Sequence, residues 1–424
     1  MIAVLLLSVA GSVSAAEQTF PPPPISASAA SAIAAISAAP PVLSIVPEYP
    51  ATGDDRQAQP LYTLPAVNVK RHTLGLQRGI FIPEVDFLTE EDALAVLGDT
   101  QFPQECSSET TRFLLVSISE KIGLGYNMKL LAYLLATAIA ENRVLLEVAA
   151  GVPRWCERPP FTLQCYYKRW TSCSTPTHPE GGRVAWHSPR TRRYNSSLER
   201  IVYVNTHGFH ASGTFYGLSS SWRARPVWDA AVTRFLASPR TWVRAEADQY
   251  VLRCGLVPGR FLTVHYRDSP QKVKERGRFS LPNAAEYAAA AARLMKTGRL
   301  APDMGIFLQT ANPDGLVSFA EAWAQLREAA DPEVDPGPLC FTHNRRTVND
   351  SWGGHDGHSN ITEEGAVGAL NAHLSTLGGG LISPTASMWT NFLAELQPPL
   401  SFLTDTHACN KSSQLWCATR RNRI

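Results

Sequence analysis

Between residues 261 and 397 the chain repeats one pattern four times: an apolar run of strand length, a break, then a stretch of helix length. "RFLTVHYR" is followed by "NAAEYAAAAARLMKTG", "MGIFLQT" by "VSFAEAWAQLREAA", "PLCFTHN" by "TEEGAVGALNAHLSTLGG", and "GLISPT" by "SMWTNFLAELQ". Such alternation constrains the fold strongly. A strand that returns through a helix pairs parallel to its predecessor, and a parallel sheet needs helices over both faces. Pro282 and Asn283 open the first of these helices, and Thr362 is placed to cap the third. In open sheets of this kind ligands sit beyond the carboxyl ends of the strands. Chemistry is therefore expected just after each strand.

The first half carries a second unit of the same type. "RFLLVSIS" reads as a strand, "EKIGLGYN" as a glycine turn, "MKLLAYLLATAIAENR" as a buried helix and "VLLEVAA" as another strand. The section 151–225, rich in Cys, Trp, Pro and Gly, reads as an irregular decoration of this unit. At 424 residues the chain is long for a single core. The expected fold class is thus α/β, with two Rossmann-like open parallel-sheet domains facing a cleft, over 78–255 and 256–424.

Upstream, "MIAVLLLSVAGSVSAA" reads as a signal peptide over 1–16, or a short retained anchor, followed by a Pro/Ala/Ser-rich stalk over 17–77. Eight cysteines and the sequons at Asn195, Asn349, Asn360 and Asn410 agree with a secretory route. The cysteines read as disulfides whose pairing spacing does not settle. The expected location is the ER or Golgi lumen, or outside the cell, with membrane association only if the N-terminal segment is retained. A net charge of +2 and the absence of a long basic run exclude an electrostatic footprint for nucleic acid.

Four places satisfy the carboxyl-end rule. In "KIGLGYN", Gly123 and Gly125 permit a tight turn and close approach to backbone N–H groups; the plainer alternative is an ordinary turn into a helix. In "VHYRDSPQKVKERGRF", Arg267 offers a guanidinium fork suited to a diphosphate, with His265 beside it. Glu275 there could take a proton from a hydroxyl, held ionised by Lys272, Lys274 and Arg276. The alternative is a solvated charged loop with a core histidine. In "LQTANPDG", Thr310 and Asn312 could contact a base or sugar, or could simply lead into a capped helix. In "ISPTASMWTNF", Thr385 and Ser387 stand at a helix entry that could receive an anion, cap the helix, or do both.

The familiar signatures are missing: no G-x-S-x-G elbow, Walker loop, H-E-x-x-H or metal-holding D-x-D follows a strand. No C-x2-C pair occurs, and "GGHDGH", with His355 and His358, reads as a polar loop. No metal and no cofactor are expected.

Taken in order, the motifs resemble those of the GDP-fucose-dependent α1,6- and protein O-fucosyltransferase group, two-domain enzymes of the GT-B type. "VHYRDSPQKVKE" resembles that group's strand ending in H-x-R with its charged loop, and "GLGYN…AENRVLLEV" its glycine turn, helix and strand. "RWCERPPFTLQCYYKRWTSC", "FLQTANPDGLVSF" and "LISPTASMWTNFLAEL" resemble later elements, so the likeness spans roughly 113–397. The resemblance implies a metal-independent inverting transfer of fucose from GDP-fucose to a hydroxyl of a glycan or glycoprotein. It implies Glu275 as general base, Arg267 on the diphosphate, and Lys272, Thr385 and Ser387 assisting. His265 would orient the loop or touch the nucleotide, Gly123 and Gly125 would line the donor cleft, and Thr310 and Asn312 would face the nucleoside.

The chain also departs from that pattern. After H-x-R the α1,6 enzymes have a second Arg, then Thr, Asp and Lys, whereas here Asp268, Ser269, Pro270 and Gln271 intervene before Lys272; Ala311 and Asn312 stand where the group usually has acidic residues. Two alternatives stay open at this point: a non-catalytic glycan- or nucleotide-sugar-binding protein on the same scaffold, and a transferase using another nucleotide sugar.

Overall fold

The computed structural model describes residues 90–118, 123–149, 155–156, 161–175, 184–186, 200–205, 225–267, 282–296, 301, 303–310, 313–329, 337–342, 361–384, 387–397, 402–404 and 415–420. The chain builds two α/β sheets. The first has the order β2-β1-β4-β3, from β1 (Arg112–Ser117), β2 (Arg143–Glu147), β3 (Val184–Trp186) and β4 (Ile201–Asn205). All its pairings are parallel, with Phe113 opposite both Val144 and Ile201. Helix α1 (Glu90–Gln101) and helix α2 (Leu124–Ala140), which connects β1 to β2, pack against this unit. At the amino edge the buried Arg143 joins three strands: it pairs with Glu141 at 2.8 Å and donates to the carbonyls of Phe113 and Arg200.

The second sheet has the order β7-β6-β5-β8-β10-β9. Strands β5 (Phe261–His265), β6 (Gly305–Gln309), β7 (Leu339–Thr342) and β8 (Gly380–Pro384) are parallel, as the repeated pattern requires. Helices α5 (Ala284–Lys296), α6 (Pro313–Ala329) and α7 (Ile361–Leu377) supply the crossovers. Strands β5, β6 and β8 read as continuous apolar runs because both faces are covered. Beyond β8 the sheet is extended by antiparallel β10 (Leu415–Arg420) and β9 (Phe402–Thr404). A capping box closes the start of α5, where Pro282 and Asn283 open it: Asn283 Oδ1 accepts from Glu286 N, and the Glu286 carboxylate accepts from Asn283 N.

One expectation is corrected. The section 151–225 is not only decoration, because it supplies β3 and β4, and β4 hydrogen-bonds directly to β1. Short apolar runs such as "IVYVN" become strands by finding a distant partner, which local pattern does not reveal. Two further helices, α3 (Arg225–Leu236) and α4 (Thr241–Arg253), follow β4. Helix α4 packs on α7, whereas α3 packs on α1 and α2.

The last helix, α8 (Met388–Leu396), leaves the second sheet and packs between α2 and α3 of the first unit. Phe392, Leu393 and Leu396 are buried there in one apolar cluster with Leu131, Leu134 and Val232. Glu395 anchors the crossing: it forms an ion pair with Lys129 of α2 and accepts from Thr233 Oγ1 of α3 at 2.6 Å. Disulfides join Cys106 to Cys173, Cys156 to Cys165, and Cys254 to Cys340; Cys417 is disulfide-bonded as well. No helix among the described residues is long and apolar enough to cross a membrane.

Candidate functional site

In the parallel part of the second sheet, strand order reverses once, between β5 and β8. At such a reversal the crossovers leave in opposite directions, so the carboxyl ends border a crevice. His265 is the last residue of β5, and Ser383 lies on β8, across this reversal. His265 Nδ1 lies 3.2 Å from Ser383 Oγ. Ser383 Oγ lies 2.7 Å from Thr390 Oγ1, and the Thr390 hydroxyl donates to the carbonyl of Pro384 at 2.7 Å. Ser383 and Thr390 are buried, while His265 keeps part of its surface open.

Arg267 follows two residues later and is partly exposed. Burial pushes the His265 imidazole down to about 3, and the positive charge of Arg267 pushes in the same direction. The ring is therefore neutral throughout the physiological range. A neutral imidazole of such low basicity is a hydrogen-bonding group, not a charge for a diphosphate. Among the groups described at this edge, the cation suited to an anion is Arg267.

At the neighbouring strand end, Gln309 closes β6. Its amide donates to Ser375 Oγ at 2.7 Å and to the carbonyl of Asn371 at 3.0 Å, while its oxygen accepts from Trp389 Nε1 at 3.1 Å. Tyr266 N donates to the Gln309 carbonyl at 2.9 Å, locking the exits of β5 and β6 together. Thr310 follows and is almost fully buried. Ser387 occupies the N-cap position of α8, and its carbonyl accepts from Asn391 N.

The glycine turn of the first unit reaches this same place. Gly123 is the N-cap of α2, and its carbonyl accepts from the N–H groups of Tyr126 and Asn127. A Cβ on Gly125 would lie 2.8 Å from Trp389 Cα, so α2 begins in direct contact with the start of α8. The close approach that Gly125 permits is thus used by Trp389. Gly123 has open space where a side chain would stand. Leu124 in turn presses on α7, where a Cβ on Gly368 would lie 2.5 Å from Leu124 Cδ2.

Of the residues singled out in the sequence, His265 and Arg267 stand at the end of β5. Thr310 stands beyond β6, Ser387 at the start of α8, and Gly123 and Gly125 at the start of α2. Glu275, Lys272, Asn312 and Thr385 lie outside the described residues, as do His355 and His358. Ser383, Thr390, Gln309 and Trp389 were missed. Their visible signal was weak: Gln309 and Ser383 are polar residues at or near the ends of apolar strands, and Trp389 and Thr390 stand at a helix start.

A further missed residue is Glu147, buried at the carboxyl end of β2. Both its carboxylate oxygens accept from Leu163 N, at 3.0 and 3.1 Å. Burial pushes the carboxyl up to about 8, against the opposing pull of the Leu163 N–H. The chain enters that turn through Phe161, whose φ of 61° lies in the left-handed region that bulky residues seldom adopt. The Cys156–Cys165 disulfide closes the loop, which rests on α7: a Cβ on Gly365 would lie 2.8 Å from the Tyr166 ring. The signal available in the sequence was one acidic residue ending an apolar strand. Among the described residues, no group of three or more His, Cys, Asp or Glu side chains is placed to hold a metal ion.

No family model matches the chain, and no curated protein matches it. Among solved structures, a mutant of Arabidopsis thaliana FUT1 in complex with GDP is similar, with a TM-score of 0.38 and 12% identity over 72% of each chain.

Proposed function

We propose that the chain is a glycosyltransferase that moves fucose from GDP-fucose to a hydroxyl of a glycan or glycoprotein. The observation that carries this reading is the meeting of four elements at the β5/β8 strand-order reversal. The exits of β5 and β6, the entry of α8 and the glycine turn opening α2 are joined there through His265, Gln309, Trp389 and Gly125. A parallel-sheet reversal is a site for nucleotide ligands. The order of motifs along the chain, resembling that of GDP-fucose-dependent enzymes, supports the choice of donor.

In this reading the donor's diphosphate lies against Arg267, whose charge stabilises the leaving group as negative charge grows in the transition state. Lys272 and the α8 entry with Thr385 and Ser387 assist. Glu275 takes the proton from the attacking hydroxyl, whose oxygen forms the new bond to the anomeric carbon as the bond to the diphosphate oxygen breaks. Thr310 and Asn312 face the nucleoside. The test is a donor screen with the purified full chain, following which nucleotide is released in the presence of mixed glycan and glycopeptide acceptors. GDP release from GDP-fucose, with fucose recovered on the acceptor, is expected. Release from another nucleotide sugar would replace the donor, and GDP binding without turnover of any donor would leave a binding protein.

A further inference from the structure

The hydroxyl chain beside His265 determines which ring nitrogen carries the proton. The Thr390 hydroxyl has one hydrogen, and it is given to the Pro384 carbonyl, which can only accept. In the 2.7 Å contact between Thr390 and Ser383, Thr390 must therefore accept, so the hydrogen is that of Ser383. Ser383 then has no hydrogen left for His265, and the 3.2 Å contact requires Nδ1–H to donate to Ser383 Oγ. Burial and Arg267 keep the ring neutral, so its other nitrogen, Nε2, bears a lone pair.

We propose that Ser383 and Thr390 are positioning residues that hold His265 as the Nδ1–H tautomer, so that the site offers Nε2 as an acceptor to a ligand hydroxyl. This deepens the transferase reading and rests on it only for the identity of the ligand. An acceptor nitrogen repels a phosphate oxygen and welcomes an O–H. His265 and Arg267 then divide the ligand between them: the guanidinium takes the anionic part, and the imidazole takes a hydroxyl of the nucleoside or of the transferred sugar. Among the described residues, the groups shown to act on the ring are Arg267 on its own segment, whose positive charge disfavours a second proton, and Ser383 on β8, which is neutral.

The test is nitrogen NMR of the full chain labelled at histidine. In the free protein, the His265 resonances should show protonated Nδ1 and bare Nε2. Thr390→Val removes the acceptor for the Ser383 hydroxyl, and Ser383→Ala removes the partner of Nδ1. Both should move the ring toward the Nε2–H form, with Thr390→Ser restoring the wild-type pattern. A purely structural role would lower Tm in these variants without moving the tautomer. A wild-type ring in the Nε2–H form, or a tautomer unchanged in both variants, overturns the proposal. With saturating ligand, Nε2 should shift as it accepts a hydrogen bond: a shift with GDP assigns the hydroxyl to the nucleoside, and one with GDP-fucose alone assigns it to the sugar. Ser383→Ala should weaken that ligand roughly 3- to 10-fold, the worth of one hydrogen bond. Nε2 unmoved by either bound ligand overturns the acceptor role. Failure of both to bind removes the donor reading and the ligand half of this proposal, while the free-protein tautomer still decides the positioning role.

Discussion

Gly125 at the start of α2 and Trp389 at the start of α8 meet backbone to backbone, with only 2.8 Å between an added Cβ and the Trp389 Cα. Alanine at Gly125 gains helix propensity worth about 0.5–1 kcal/mol. Overpacking against backbone, which cannot rotate away, costs about 1–3 kcal/mol and wins. Gly125→Ala should therefore lower the midpoint of urea unfolding and loosen the α2–α8 contact. Gly123 is the control: it sits at φ −57° with open space around it, at an N-cap position lacking a side-chain bond. Gly123→Ser should be neutral or stabilising by a few tenths of a kcal/mol.

Lys129 and Glu395 hold α8 to α2, with only 19% and 21% of their side-chain surfaces exposed. Burial raises the Glu395 carboxyl, against the pull of Lys129. Lys129→Met leaves that carboxylate without its cation and should destabilise the fold, by less than the roughly 3–5 kcal/mol of a fully buried pair because solvent reaches part of both side chains. The double variant Lys129→Met/Glu395→Gln should recover part of the loss. Equilibrium unfolding of the four proteins gives the coupling, and strict additivity would refute it.

Glu147 titrates near 8 when folded, against 4.5 for an ordinary glutamate. The folded chain thus holds a proton that the unfolded chain releases, and stability falls as pH rises from about 4.5 through about 8. The decline should amount to a few kcal/mol. Glu147→Gln keeps an acceptor for Leu163 N and removes the titration. Its Tm, followed from pH 5 to 8.5 with disulfides intact, should lack this slope and exceed the wild type at the alkaline end. An unchanged slope would place the titration elsewhere.

Arg267 is partly exposed at the exit of β5 and closes no core cluster. Arg267→Ala should leave a cooperatively folded protein, checked by thermal unfolding. It should lower transfer by two orders of magnitude or more, the scale of losing one transition-state donor. Arg267→Lys keeps the charge without the fork and should fall between. Near-normal turnover in Arg267→Ala would exclude it from the diphosphate.

Much of the architecture was legible because periodicity is a local property. The alternating runs from residue 261 to 397 announced β5 to β8 and their helices, and "RFLLVSIS" with "VLLEVAA" announced β1 and β2. Position after a strand also singled out His265, Arg267 and Ser387. What stayed hidden depends on partners distant in sequence. The run "IVYVN" is a strand because β1 lies beside it, and β10 is one because β8 does.

By itself, then, the sequence determined a parallel α/β fold, through runs too apolar to face water and helices obliged to cover them. It also determined which residue types stand at the strand exits. Only the tertiary structure decided what those residues do to one another. Gly125 packs on Trp389 because α8 crosses between units, and the His265 tautomer follows from a hydroxyl 118 residues away on β8. Hydrogen-bond direction and desolvation are properties of neighbours in space, and no spacing along the chain encodes them.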